Sequence, residues 1–291
     1  MNTINKARVI AFYLPQFHPI PENDEWWMKG FTEWTNVGKA RSLFPGHYQP
    51  KVPADLGYYD LRVPETRQAQ ADMAREYGIE GFCYWHYWFG NGKRLLERPF
   101  YEVLASGKPD FPFCLAWANE SWKGFFHGVK TKQALITQLY PGEDDYIAHF
   151  ETVLPAFKDP RYITVDDKPV FMIYQPFQHP QIKEFMALWQ KLAMNNGLKG
   201  IFFIGQTYHL TEERAELMDM GFDAINVTRL FDFEKKAKFL YKCAKWRHRI
   251  FRCPKIMEYK RVSRFFVGDE EYAPEIIPTI IPNWEIGRAH V

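Results

Sequence analysis

Long apolar runs are missing from this sequence of 291 residues. No stretch approaches the ~18 consecutive apolar residues of a membrane-spanning helix. Cysteine is scarce: Cys83, Cys114, Cys243 and Cys253 form no C-x-x-C pair, which excludes a disulfide scaffold or a zinc ribbon. The nine histidines are scattered, without H-E-x-x-H spacing, so no bound metal is expected. No G-x-G-x-x-G or Walker loop follows the first apolar run, and no cofactor is expected. Charge of one sign is lacking too, since 37 Lys and Arg against 35 Asp and Glu leave +2. Such a balance shows no footprint for nucleic acid and no acidic tail. The opening residues, Met1-Asn-Thr-Ile-Asn-Lys-Ala-Arg8, lack the apolar core of a secretory signal. With the unpaired cysteines, this predicts a reducing, cytoplasmic setting.

What the chain has in excess is aromatic rings, with 10 Trp, 16 Tyr and 25 Phe making up 18% of residues. Their faces stack on sugar rings, and indole N–H or phenol O–H groups orient the ligand. A Phe-rich core would also use such rings. Many Trp and Tyr fall where short apolar runs end, as in Tyr84-Trp-His-Tyr-Trp88. The stretch Phe113-Cys-Leu-Ala-Trp-Ala-Asn-Glu-Ser-Trp122 concentrates the pattern: a strand-length run stops at an amide, a carboxylate, a hydroxyl and an indole. Asn119 and Glu120 there read as ligand groups at a strand end, or as a cap on a following turn or helix.

Taken in order, strands are predicted at 8–13, 79–85, 113–117, 169–174, 200–205, 222–227 and 276–281. Helices are predicted at 64–77, 95–106, 143–157, 181–196 and 211–220, the last with Thr211 as its cap. A long polar and aromatic connection, 19–64, follows the first strand. His86 reads as a hydrogen-bonding or proton-transfer group beyond the second strand, or as a structural histidine. The basic stretch 235–252 reads as a solvated helix face, or as a contact for an anionic partner such as a membrane surface. Alternating strand and helix patterns argue for parallel strands with right-handed crossovers. Without a phosphate-binding loop, and with polar groups ending nearly every strand, a (β/α)8 barrel is favoured over a doubly wound sheet. About seven of its strands are present. The last seven residues, Glu285 to Val291, carry neither pattern. They match the translation of GAGATCGGAAGAGCACACGTC, a common sequencing-adapter sequence. The expected division is therefore a barrel over 1–284 and non-native read-through over 285–291.

Six strings carry a family resemblance: Ala11-Phe-Tyr-Leu-Pro-Gln-Phe-His-Pro19, Gly30-Phe-Thr-Glu-Trp-Thr-Asn36, Gly46-His-Tyr-Gln-Pro50, Gly81-Phe-Cys-Tyr-Trp-His-Tyr-Trp-Phe89, Leu115-Ala-Trp-Ala-Asn-Glu-Ser-Trp122 and Tyr140-Pro-Gly142. On these the chain resembles the WbsX-like family, labelled glycosyltransferase, with a domain like that of glycoside hydrolase family 99. The resemblance implies a (β/α)8 barrel acting on oligosaccharide or polysaccharide in O-antigen-type surface polysaccharide metabolism. It also implies a catalytic carboxylate pair in an Asn-Glu-Trp-x-Glu-Gly motif on the eighth strand, which this sequence does not contain. Within the chain, Glu120 is the candidate for direct chemistry. Tyr13, Gln16, Glu33, Trp34, His86, Trp88, Asn119, Trp122 and Tyr174 are candidates for sugar binding. A nucleotide-sugar transferase is the alternative, although no Asp-x-Asp string is present: Asp144-Asp145 and Asp166-Asp167 are adjacent pairs. A non-catalytic carbohydrate-binding protein is the third.

Overall fold

A computed structural model describes residues 7–123, 134–230 and 232–282. Seven parallel strands follow one another across the main sheet in chain order: β1 (Ile10–Tyr13), β2 (Gly81–Trp88), β3 (Phe113–Trp117), β4 (Lys168–Ile173), β5 (Phe202–Thr207), β6 (Ala224–Val227) and β7 (Ile276–Pro278). A doubly wound sheet reverses its strand order at a switch point. Here there is no reversal, and the curled sheet is an incomplete (β/α)8 barrel. Among the described residues, β1 and β7 are its two open edges.

A short helix α1 (Glu33–Lys39) lies in the long connection after β1, preceded by a helical turn at Pro21–Trp26. The crossovers carry α2 (Pro64–Glu76), α3 (Arg98–Ser106), α4 (Glu143–Phe157), α5 (Ile182–Asn195), α6 (Leu210–Met220) and α7 (Lys238–Phe251). Helix α2 has Pro64 in its first turn and Gly78 in the left-handed region just past its end, a position where a side chain would be strained. Close approach accounts for Gly81. A Cβ there would lie 2.5 Å from the Pro112 carbonyl oxygen, so only glycine lets β2 start beside β3.

Several boundaries differ from those the sequence predicts. Strand β2 continues through His86, Tyr87 and Trp88, because Phe113–Trp117 pairs with it up to His86 and Arg94–Leu95 pairs antiparallel with Tyr87 and Trp88. That pairing also removes residues 95–97 from the helix predicted to begin at Leu95. Thr211 does not cap α6. The helix starts one residue earlier, the hydroxyl of Thr211 donates to Glu270 instead, and Thr207 Oγ1 accepts from the His209 N–H at the helix entrance.

One face of the sheet is covered by the helices. Trp117, Phe171 and Phe203 point into it and meet Phe185 and Trp189 of α5, with Phe150 and Phe157 of α4 behind them. All seven rings are almost fully buried, and each contributes roughly 2–3 kcal/mol of apolar burial. His86 projects into the same layer, where its Nε2 lies 2.8 Å from Nε2 of His149 on α4. The His149 ring stacks flat on Trp88, at 4.7 Å and 2°. His179 packs on Tyr140 and Trp117. Burial makes the charged form of each ring unfavourable: His86 is lowered to about 3, His179 to about 4, and His149 well below the usual histidine range.

Beyond β3, Asn119 ties two strand ends together. Its Nδ2 donates to the Gln175 carbonyl at 2.9 Å and to the Tyr140 hydroxyl at 3.0 Å, while Oδ1 accepts from the Gln175 N–H at 2.8 Å. Beyond β6, the buried Arg229 guanidinium pairs with Asp232, Glu270 and Glu271, anchoring the turn that leads into β7.

Two stability predictions follow from this layer. The three histidines titrate near pH 6.5 when unfolded and stay neutral when folded, so the unfolded state binds more protons below that pH. Stability should therefore fall on acidification from pH 6.5 to 4.5, by up to about 1.4 kcal/mol per histidine per pH unit. The lowered carboxylates, such as Asp159 and Glu80, begin to lose their contribution only as pH falls into the ordinary carboxylate range, about 4. A urea midpoint that stays flat from pH 6.5 to 4.5 would contradict the histidine contribution. Asn119→Ala should lower the unfolding free energy by about 2–4 kcal/mol, since it removes three buried hydrogen bonds. Urea unfolding of the variant at pH 7 measures this directly.

Candidate active site on the concave face

Register divides each strand into two faces, because residues paired across a parallel sheet point the same way and neighbours along a strand point opposite ways. His86 pairs with Trp117, and both face the helices. Trp85 pairs with Ala116, Ala116 with Met172, and Met172 with Ile204; these face the concave side, which no helix covers among the described residues. One step towards the C-terminal ends, the same alternation brings up Ala118, Tyr174, Gln206 and Asn226, the last two in register. Small residues at Cys114, Ala116 and Ala118 leave room on β3 for the large rings beside them.

An aromatic rail runs along this face. Phe12 stacks on Trp85 at 5.1 Å and 9°, and Trp85 meets the edge of Tyr174 at 5.4 Å. The Tyr174 hydroxyl lies 3.3 Å from that of Tyr208. Past the two tyrosines the surface turns polar. Asn226 Nδ2 donates to Thr279 Oγ1 at 3.0 Å and to the Ile277 carbonyl at 3.1 Å, and Thr279 is 3.3 Å from Thr228. Gln206 reaches Thr228 only at 3.5 Å through its amide nitrogen. Its carbonyl oxygen has no hydrogen-bond donor among the described residues. Gln206 and this oxygen are buried, so the amide underlies the polar end of the concave face rather than lying open on it.

Glu120 is half-buried just beyond β3. Tyr174 is held protonated far above the ordinary phenol range, first by burial, then by the Tyr208 hydroxyl, and further by the Glu120 charge. A carboxylate and a phenol that feel one another at the end of an aromatic rail can orient a sugar hydroxyl or exchange a proton with it. Among the described residues, no group of three His, Cys, Asp or Glu side chains converges as a metal site would require.

The other residues singled out from the sequence divide among different places. Gln16 and Glu33 meet in the layer after β1, where the Glu33 N–H donates to the Gln16 carbonyl and the buried Glu33 carboxylate accepts from Asn36. Trp34, beside them, donates its indole N–H to the Tyr59 carbonyl at 2.7 Å and packs among Phe17, Tyr58 and Tyr59. Trp122 belongs to a rim cluster with Trp26, Tyr87 and Phe89, on a short hairpin formed by Trp122–Lys123 and Ala134–Ile136. Tyr13, His86 and Trp88 lie on the helix side of the sheet. Tyr13 donates to Gln70 of α2, His86 pairs with His149, and Trp88 donates to Asp145 of α4. Asn119 is fully buried, with its amide engaged in joining β3 to β4, and residues 120–123 after it form no helix for it to cap. Six concave residues, Phe12, Trp85, Gln206, Tyr208, Asn226 and Thr228, were not among the sequence candidates. Period-two alternation counted back from Tyr174 through the register would have marked them.

The chain is 44% identical over 220 residues to the protein WxcX from two strains of Xanthomonas campestris pv. campestris. The match covers 75% of this chain and 30% of WxcX, so the chain spans under a third of the length of those relatives. Among solved structures it is similar to the GH99 endo-alpha-mannosidase from Bacteroides thetaiotaomicron, with a TM-score of 0.50 and 15% identity over 82% of this chain and 67% of that one. At that identity the likeness speaks for the barrel alone. The family model described as glycosyltransferase WbsX matches residues 9–288, nearly the whole chain, and the protein belongs to that family.

Proposed function

We propose that the concave face binds a glycan and that the full-length protein acts on a glycosidic bond in surface polysaccharide metabolism. The observation that carries this is the aromatic rail Phe12–Trp85–Tyr174 leading into the polar group Gln206, Asn226, Thr228 and Thr279. Stacking surface followed by fixed amide and hydroxyl groups is what a pyranose ring offers and needs: an apolar face and equatorial hydroxyls. Membership of the WbsX family supports the same substrate class.

Bond cleavage or transfer at an anomeric centre calls for an acid at the leaving oxygen and a second carboxylate for nucleophile, base or charge support. Glu120 fills one of these roles in this reading, with Tyr174 orienting the sugar beside it. Whether water or a sugar hydroxyl accepts the glycosyl group decides between a hydrolase and a transferase, and the family description favours transfer. Trp34 and Trp122 line the outer part of the binding region in this proposal, the buried Gln16 and Glu33 support the layer after β1, and Tyr13, His86, Trp88 and Asn119 support it from behind the sheet. The four cysteines are free, the exposed Cys243 among them, which suits a reducing compartment and a cytoplasmic reaction.

Calorimetry of this chain with α-mannoside oligosaccharides and O-antigen-type fragments tests binding without requiring turnover. Trp85→Ala and Tyr174→Phe should each weaken a bound glycan, the first by about tenfold or more, equivalent to ~1.4 kcal/mol. Unchanged affinity in Trp85→Ala would place the glycan elsewhere. In the full-length enzyme, Glu120→Gln should reduce turnover by about 10²-fold or more with little change in KM. Retained turnover would remove Glu120 from the chemistry while leaving the binding surface standing.

A further inference from the structure

Helix α7 lies outside the site just described and has more than one apolar side. Leu240, Tyr241 and Ala244 face the body of the protein, and Ala244 is buried there. On the opposite side, Phe239, Cys243, Trp246 and Ile250 recur at spacings of four, three and four residues, which aligns them in one stripe along the helix. Their exposure is high: 78% for Phe239, 60% for Trp246 and 51% for Ile250. Lys238, Lys242, Lys245 and Arg249 each precede a member of that stripe and form a second row beside it, with Arg247 on the far flank. The helix contains no acidic residue. None of these five cations has a carboxylate partner among the described residues, although Lys235 and Lys236 just upstream pair with Glu212 and Asp232.

We propose that this face of α7 docks on an anionic lipid surface, with the Phe–Cys–Trp–Ile stripe entering the headgroup boundary and the lysine row lying among lipid phosphates. Charge complementarity selects the occupant. An apolar stripe bordered by cations on both flanks, with no acid on the helix, matches a uniformly negative plane whose interior is apolar. A partner helix packed on the same stripe would call for flanking charges of both signs. Nucleic acid would use the lysines and leave Phe239, Trp246 and Ile250 in water. Long lysine side chains also reach past the ring plane to the phosphates while their methylenes cover the stripe's edge. The inference stands independently of the glycan reading, since no residue of α7 belongs to the concave face.

The test is cosedimentation of the chain with phosphatidylcholine vesicles, with and without one-third phosphatidylglycerol, at low and high salt. Binding should be at least tenfold stronger with the anionic lipid and should fall with salt. The variant Lys238→Glu/Lys242→Glu/Lys245→Glu/Arg249→Glu should lose it, given about fivefold per cation at such a surface. The variant Phe239→Ser/Trp246→Ser/Ile250→Ser should lose it too. Both changes are at exposed positions, so circular dichroism and glycan binding should match the parent protein and separate a docking defect from misfolding. A parent chain that shows no preference for the anionic vesicles overturns the proposal. Undiminished binding in the serine variant also overturns it, leaving only a diffuse electrostatic attraction such as nucleic acid would share. So does a parent that is a dimer in solution, does not bind vesicles, and becomes monomeric in the serine variant.

Discussion

The parallel register across β2, β3 and β4 is the constraint on which the rest of this structure depends. With Trp85, Ala116 and Met172 aligned, one set of side chains packs on helices α4 and α5 and the other lines the concave face. A slip of one residue in any of these strands would exchange the two sets. His86 and Trp88 would then enter the cleft, and Trp85 would be driven into a layer already filled by Trp117, Phe185 and Trp189. The aromatic packing behind the sheet is dense enough to exclude that exchange, because each ring there has neighbours on several sides. The geometry of the concave face is therefore determined largely by the face turned away from it.

Polar groups behind the sheet reinforce the register rather than dilute it. A buried imidazole needs a partner or it costs free energy, and His86 and His149 satisfy one another across the sheet–helix boundary. Asn119 uses the two ends of its amide to match the backbone N–H and carbonyl of Gln175, a geometry only a side-chain amide can offer at that distance. At the other edge, Arg229 gathers three carboxylates and holds the approach to β7. Burying a guanidinium is costly unless it is paired this fully, so the turn at 269–272 and the end of β6 must form together. Each of these contacts joins segments far apart in the chain, and each fixes the height at which a strand end presents its side chains.

The large-scale plan was legible from residues alone. Strand β3 and helix α4 have the bounds predicted, because Phe113–Trp117 is a compact apolar run and Gly142 and Asp159-Pro160 bracket a continuous helical pattern. The alternation of seven strands with helices pointed to a barrel, and the open edges at β1 and β7 agree with it. Among the site candidates, Glu120 and Tyr174 fall at the concave face. His86, Trp88 and Tyr13 fall behind it, for a physical reason: residue type at a strand end does not say which way a side chain points. The stretch Tyr84-Trp-His-Tyr-Trp88 is aromatic on both faces, so composition cannot separate cleft from core there, and only the pairing with β3 does. The short helices after β1 went unseen because their caps and tight turns are local, while the expectation was drawn from the length of the connection. The predicted division at 284 falls outside the described residues.

The two candidate surfaces draw on separate parts of the chain. Helix α7 lies between β6 and β7 in sequence and packs on the preceding helical turn Asp232–Lys236, with Ala244 buried. Its stripe of Phe239, Trp246 and Ile250 is exposed to solvent, whereas Asn226 and Thr228, at the end of the strand that precedes it, face the concave side. A surface recruited through that stripe would therefore use none of the side chains that line the concave face. The two candidate surfaces share no side chain, so that either can change in sequence without disturbing the packing on which the other relies.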